Sequence, residues 1–106
     1  MRTPFQKQGT GFLFMTTADL ATTVVSEMIQ RSKSTRTRSL LICRQVVPTL
    51  DWLNIARGVV CERGCPKSIE AYSVSRACAT SIRAMTSATE AILAGQHDVA
   101  IVEPTA

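Results

Sequence analysis

Apolar positions along the chain switch between a helical period and a strand period several times. Residues 1 to 16, with Pro4, Gly9 and Gly11, carry neither period and read as an irregular lead-in. From Thr17, the apolar stripe Leu20, Val24, Met28 and Ile29 predicts a helix ending near Arg31, with Thr16, Thr17 or Asp19 placed to cap or charge its first turn. A polar, basic connector follows over residues 33–39. The run "LLICRQVV" at 40–47, stopped by Pro48, predicts a buried strand. Asp51 and Asn54 are candidate caps for a second helix with Ile55, Val59 and Val60 on one face, which Gly64 and Pro66 end. "EAYSV" at 70–74 predicts a second strand, residues 79–94 a third helix ending at Gly95, and "DVAIV" at 98–102 a third strand.

The order α-β-α-β-α-β implies an α/β fold with a mostly parallel sheet and flanking helices. Periodicity leaves the strand order open. With 106 residues there is room for one domain at most, and a hydrophobic content of 45% is that of a globular chain; only 5% is aromatic, so the core is aliphatic. The formal charge of +4 is local. Arg31, Lys33, Arg36, Arg38 and Arg44 fall in an acid-free stretch, and outside it 7 basic residues face 8 acidic ones. A general nucleic-acid surface is not indicated. No apolar run is long enough for a signal peptide or a membrane span.

Four cysteines, Cys43, Cys61, Cys65 and Cys78, are expected as free thiols in a reducing, cytoplasmic setting. Cys61 and Cys65 have no second pair, so no metal site is expected. Cys78 stands apart from the others. In "AYSVSRACATSIRAM" (71–85) it falls where strand spacing gives way to helical spacing. The following helix places Ile82, Met85, Ala88 or Thr89, and Ile92 on an apolar face, while Ala79, Ser81, Ala84, Ser87, Ala91 and Ala94 are small. That composition predicts a helix buried between two layers, with Arg83 and Glu90 on a narrow polar face. A thiol at its N-terminal end would sit near unpaired amide N–H groups and the positive end of the helix dipole, a setting suited to a thiolate. A strand-to-helix turn of this kind also presents the nucleophile of many hydrolases.

"YSVSRACATS" followed by "ATEAILAGQHDVAIV" resembles the N-terminal half of the thiolases, above all those that cleave 3-ketoacyl-CoA in fatty-acid oxidation. "RTPF" at 2–5, "DLA" at 19–21, "QVVP" at 45–48 and "NIAR" at 54–57 fit the same family in the same order. The resemblance weakens at 33–44 and after Val102. It implies a thiolase-like fold and an acyltransferase in which Cys78 accepts the acyl group as a thioester, splitting carbon–carbon cleavage into two easier steps. It further implies coenzyme A as co-substrate with no resident cofactor, acyl-CoA substrates, a homodimer and a hydratase/dehydrogenase α-subunit as partner.

The resemblance assigns the remaining machinery, a histidine, a second cysteine and an Asn/His pair, to a C-terminal half. His97 is expected at the surface, since a Cys78–His97 dyad would have to reach along a helix of roughly 20 Å. Residues 1–106 are thus expected to be an incomplete thiolase N-terminal domain, inactive by itself. Met1 stands directly before Arg2 where the family has a strand, "EPTA" stands in place of a Gly-Gly turn, and "KSTRTRSLLICR" is divergent. These departures fit a truncated, partly frame-shifted product. The competing function is a small polyanion-binding module using the 31–44 basic cluster, with Cys78 only structural.

Overall fold

The computed structural model describes residues 3–32, 38–48, 50–62 and 65–105. Lys33 and Arg36 of the basic connector therefore lie outside the described residues. Six elements follow the expected order: α1 (Thr17–Ser32), β1 (Ser39–Gln45), α2 (Ile55–Glu62), β2 (Glu70–Val74), α3 (Thr80–Leu93) and β3 (Val99–Thr105). The strands form one parallel sheet in the order β2-β1-β3. Residues 3–16 contain turns and neither helix nor strand, as the lead-in reading expected.

β1 is the spine. Leu40, Leu41, Ile42 and Cys43 are successive and all buried, as a strand paired on both edges and covered on both faces requires. Its odd positions, Leu41 and Cys43, join Ile101 against Ala18, Ala21, Val25 and Ile29 of α1 and Ile55, Ala56, Val59 and Val60 of α2. Its even positions, Leu40 and Ile42, join Tyr72, Val74, Ala100 and Val102 against Ala84 and Ala88 of α3. The result is three layers, with α1 and α2 on one face and α3 on the other.

Local chemistry sets the helix starts. Thr16 and Asp19 form a reciprocal cap: the Thr16 N–H donates to Asp19 Oδ2 at 2.8 Å, and the Asp19 N–H donates to Thr16 Oγ1 at 3.2 Å. Asn54 caps α2, its Oδ1 accepting from the Arg57 N–H at 3.1 Å. On α1 the buried stripe is Ala18, Ala21, Thr22, Val25 and Ile29, while Leu20, Val24 and Met28 are only half-buried. Ile29 is buried as expected, and the rest of the stripe is displaced by one position, to Ala21 and Val25. The alanines let α1 approach the sheet closely, and the bulkier side chains flank the contact.

The same effect reverses the expectation for α3. Its buried positions are Thr80, Ala84 and Ala88 at four-residue spacing, whereas Ile82, Met85 and Ile92 are 72%, 61% and 42% exposed. The helix is covered on one side only, and that side is the small one. Arg83 and Glu90 do occupy an exposed face, paired at 3.7 Å. Two boundaries also move: β3 runs on through Pro104, which an edge strand tolerates, and the supposed connector residue Ser39 is buried as the first residue of β1.

Gly58 lies in the interior of α2 because a ring occupies the space beside it. A methyl group there would overlap Cζ3 of Trp52, whose carbonyl accepts from Gln45 Nε2 at 2.9 Å. Alanine gains about 1 kcal/mol of helix propensity over glycine, but overpacking costs about 1–3 kcal/mol. Gly58→Ala is expected to lower the melting temperature and shift the fluorescence of the single tryptophan; a raised melting temperature would contradict this packing.

Glu103 is buried beside Cys43 in the layer that α1 and α2 cover. The buried faces of those helices present no charged side chain, and Oε2 of Glu103 has no hydrogen-bond partner among the described residues. Burial raises its carboxyl from the ordinary 4.5 to about 7, opposed by the hydrogen bond from Cys43 and the charge of Arg44. The folded state thus holds this proton more tightly than the unfolded chain. The resulting stabilisation is full below about pH 4.5 and is lost as pH rises through about 7. Urea titrations should show stability falling over that interval by on the order of 3 kcal/mol. Glu103→Gln should flatten the profile, and an unchanged slope would exclude Glu103 as its source.

Candidate active site

β2 delivers the chain to its carboxyl end at Val74, and α3 leaves from Thr80 on the opposite face from α2. The loops after β1 and β2 therefore depart to opposite sides of the sheet, the arrangement that opens a crevice at strand carboxyl ends. Asn54 and Ser73 tie the loop before α2 to the end of β2. Ser73 Oγ donates to Asn54 Oδ1 at 3.1 Å and accepts from the Ala56 N–H at 3.2 Å. Nearby, between the start of α1 and the end of β1, a cavity of about 280 Å³ is lined by Thr16, Gln45, Val47 and Trp52 among others.

Cys78 is exposed in the turn between β2 and α3. The switch in spacing located this turn correctly, and the helix begins two residues after the thiol. Ala77 has φ +46°, the left-handed region that residues other than glycine rarely occupy. Backbone bonds from the Ala79 N–H to the Arg76 carbonyl (3.1 Å) and from the Thr80 N–H to the Ala77 carbonyl (3.2 Å) close the turn. No side-chain hydrogen bond caps the helix at Ala79.

The fully buried Thr80 adds a second tie: its Oγ1 accepts from the Arg76 N–H at 2.7 Å and donates to the Ala77 carbonyl at 2.5 Å. Sequence reasoning passed over Thr80 and Ala77. The available signal was a hydroxyl residue in the first turn of a helix, where such side chains bond the local backbone.

His97 is placed differently from expectation. Its side chain is only 12% exposed, with Nε2 3.3 Å from Glu70 Oε2. Glu70 opens β2 and His97 precedes β3, so the pair sits at the amino ends of the strands, away from Cys78. A Cys78–His97 dyad is thus absent, as the helix length implied. The described arginines of the basic stretch are dispersed as well. Arg31 pairs with Glu27, Arg38 binds the Gly95 and Gln96 carbonyls and faces Asp98, and Arg44 donates to Ser81 Oγ at 2.6 Å under α3. These three arginines do not form one anion-binding patch.

A family model described as "Thiolase, N-terminal domain" matches residues 1–103. The chain belongs to the thiolase family. Its fold, a parallel sheet between helical layers, is consistent with that domain. The chain is 43% identical to a 3-ketoacyl-CoA thiolase of Pseudoalteromonas translucida (strain TAC 125) and 45% identical to one of Aeromonas salmonicida (strain A449). A 3-ketoacyl-CoA thiolase of Yersinia pestis (strain Pestoides F) is 44% identical. Each match covers 95% of this chain and 23% of the relative. The chain thus spans about a quarter of the length of the curated relatives it matches.

The four thiols differ in access, which gives a direct check. Cys43 and Cys65 are buried, and burial raises both thiols above their ordinary value, Cys43 further through the charge of Glu103. Cys61 and Cys78 are exposed. Iodoacetamide at neutral pH should label Cys78 and Cys61 in the folded chain and reach Cys43 and Cys65 only on unfolding. Early labelling of Cys43 would contradict the described core.

Proposed function

We propose that this chain carries the acyl-accepting half of a thiolase active site, with Cys78 as the nucleophile. The observation that carries the reading is an exposed cysteine on a strained strand-to-helix turn, at the crevice end of the sheet, in a chain of this family. The chemistry is thiolysis of a 3-ketoacyl-CoA. The Cys78 sulfur attacks the keto carbon, the bond between C2 and C3 breaks, and acetyl-CoA departs after its enolate carbon takes a proton. Free coenzyme A then attacks the thioester, its sulfur receiving the acyl group as the Cys78 sulfur leaves. Coenzyme A is a co-substrate, and no resident cofactor takes part.

General acid/base groups must take the thiol proton and protonate the enolate. The single histidine of the chain stands at the amino ends of the strands, so turnover, which unlike acyl transfer from acetyl-CoA must also protonate an enolate, needs residues other than those described beside Cys78. We assign them to the remainder of a thiolase. On the same family reading, the working enzyme is a cytoplasmic homodimer of fatty-acid degradation, associated with a hydratase/dehydrogenase subunit.

Acyl transfer to sulfur can be tested apart from turnover. With acetyl-CoA, the Cys78 sulfur would form a bond to the acetyl carbon as the bond from that carbon to the coenzyme A sulfur breaks. The free coenzyme A thiol would carry away the proton. Mass spectrometry should find a hydroxylamine-sensitive acetyl adduct on Cys78, absent in Cys78→Ala, and the chain alone should not turn over acetoacetyl-CoA with coenzyme A. An adduct distributed equally over Cys78 and the exposed Cys61 would contradict a dedicated nucleophile.

A further inference from the structure

We propose that Thr80 is a positioning residue, whose hydroxyl holds residues 76–80 in the conformation that presents the Cys78 thiol. This rests on the reading of Cys78 as acyl acceptor, which it extends by one residue.

The argument begins with a conflict in the turn. Ala77 holds a φ of +46°, and a left-handed conformation is unfavourable for a residue with a Cβ. The sequence Ser75-Arg76-Ala77-Cys78-Ala79 contains no glycine to avoid that cost. Something in the native fold must hold the turn, and the two backbone bonds flanking Ala77 are of ordinary length, 3.1 and 3.2 Å.

The Thr80 hydroxyl is the side-chain group bonded across this turn. Its lone pair takes the Arg76 N–H and its proton goes to the Ala77 carbonyl, so one oxygen ties the residue before Ala77 to the peptide after it. A hydroxyl has one proton to give, and both bonds are made inside the protein. Thr80 is fully buried, so its hydroxyl is shielded from water on its own side of both bonds. Cys78 sits between the tied points, exposed. Thr80 does not itself reach the thiol surface; it acts through the path of the backbone. Without the hydroxyl, Ala77 is free to leave the left-handed region, and Cys78 moves with it. A hydrogen bond of this kind is worth about 1 kcal/mol, enough for a change of about five-fold in the population of the presenting turn.

The test measures iodoacetamide alkylation rates of all four cysteines by mass spectrometry, in the full chain and in four variants. Thr80→Val keeps the branched shape without the hydroxyl and should slow Cys78 by about five-fold, with Cys43 and Cys65 still protected. Thr80→Ser keeps the hydroxyl and should react as the parent does. Ala77→Gly removes the penalty for positive φ, so it should leave the parent rate unchanged and restore Cys78 reactivity when combined with Thr80→Val. A merely structural residue would not show that rescue. Thr80→Val alkylating Cys78 at the parent rate would overturn the proposal. So would failure of Ala77→Gly to rescue, or exposure of Cys43 and Cys65 in Thr80→Val, which would assign the hydroxyl to the fold as a whole. Because Cys78 is compared with itself across variants, these outcomes are independent of the acetyl-CoA experiment that tests Cys78 as acyl acceptor.

Discussion

Burial of β1 on both faces is the constraint from which the other placements follow. Leu40, Leu41, Ile42 and Cys43 alternate between two helical layers, and each fully buried aliphatic side chain contributes about 1.5–3 kcal/mol. Neither layer can form without the strand between them. Pairing of β1 with β2 on one edge and β3 on the other then forces the chain to pass from β2 to β3 across the sheet by way of α3. The turn that begins this crossover is the one that holds Cys78. An exposed turn at the carboxyl end of β2 is thus a consequence of the topology.

That turn combines two opposed tendencies. A left-handed Ala77 is unfavourable by itself and persists where surrounding contacts over-determine it. Those contacts are the two backbone bonds that close the turn, the buried Thr80 below it, and the packing of Ala84 and Ala88 that fixes the direction of α3. Strain on the exposed side is balanced by burial on the inner side. The arrangement leaves Cys78 outside the core that Cys43 and Cys65 occupy, so chemically identical side chains differ in their access to solvent.

Much of this was legible in the residues. The element order, the parallel sheet and the turn at Cys78 follow from where the apolar period changes, and the caps at Thr16 and Asn54 are short-range chemistry. Family membership was carried by an ordered set of motifs and not by Cys78 alone. What pattern could not deliver was the choice between two apolar stripes on one helix. On α1 and α3 the larger side chains suggested the core face, but close approach to the sheet selects Ala18, Ala21, Ala84 and Ala88 instead. Strand order β2-β1-β3 is set by long-range pairing that no local period encodes. His97 meets Glu70, 27 positions earlier in the chain, and the Thr80 hydroxyl bonds across a turn whose positive φ at Ala77 the letters do not display.

A crystal structure of the chain after reaction with acetyl-CoA bears most directly on the central claim, that the fold presents Cys78 for acyl transfer. The account predicts a thioester on the Cys78 sulfur, Ala77 still at positive φ, and Thr80 Oγ1 within hydrogen-bond distance of the Arg76 nitrogen and the Ala77 oxygen. An unmodified Cys78 beside an acylated Cys61, or Ala77 in an extended or right-handed conformation, would contradict it.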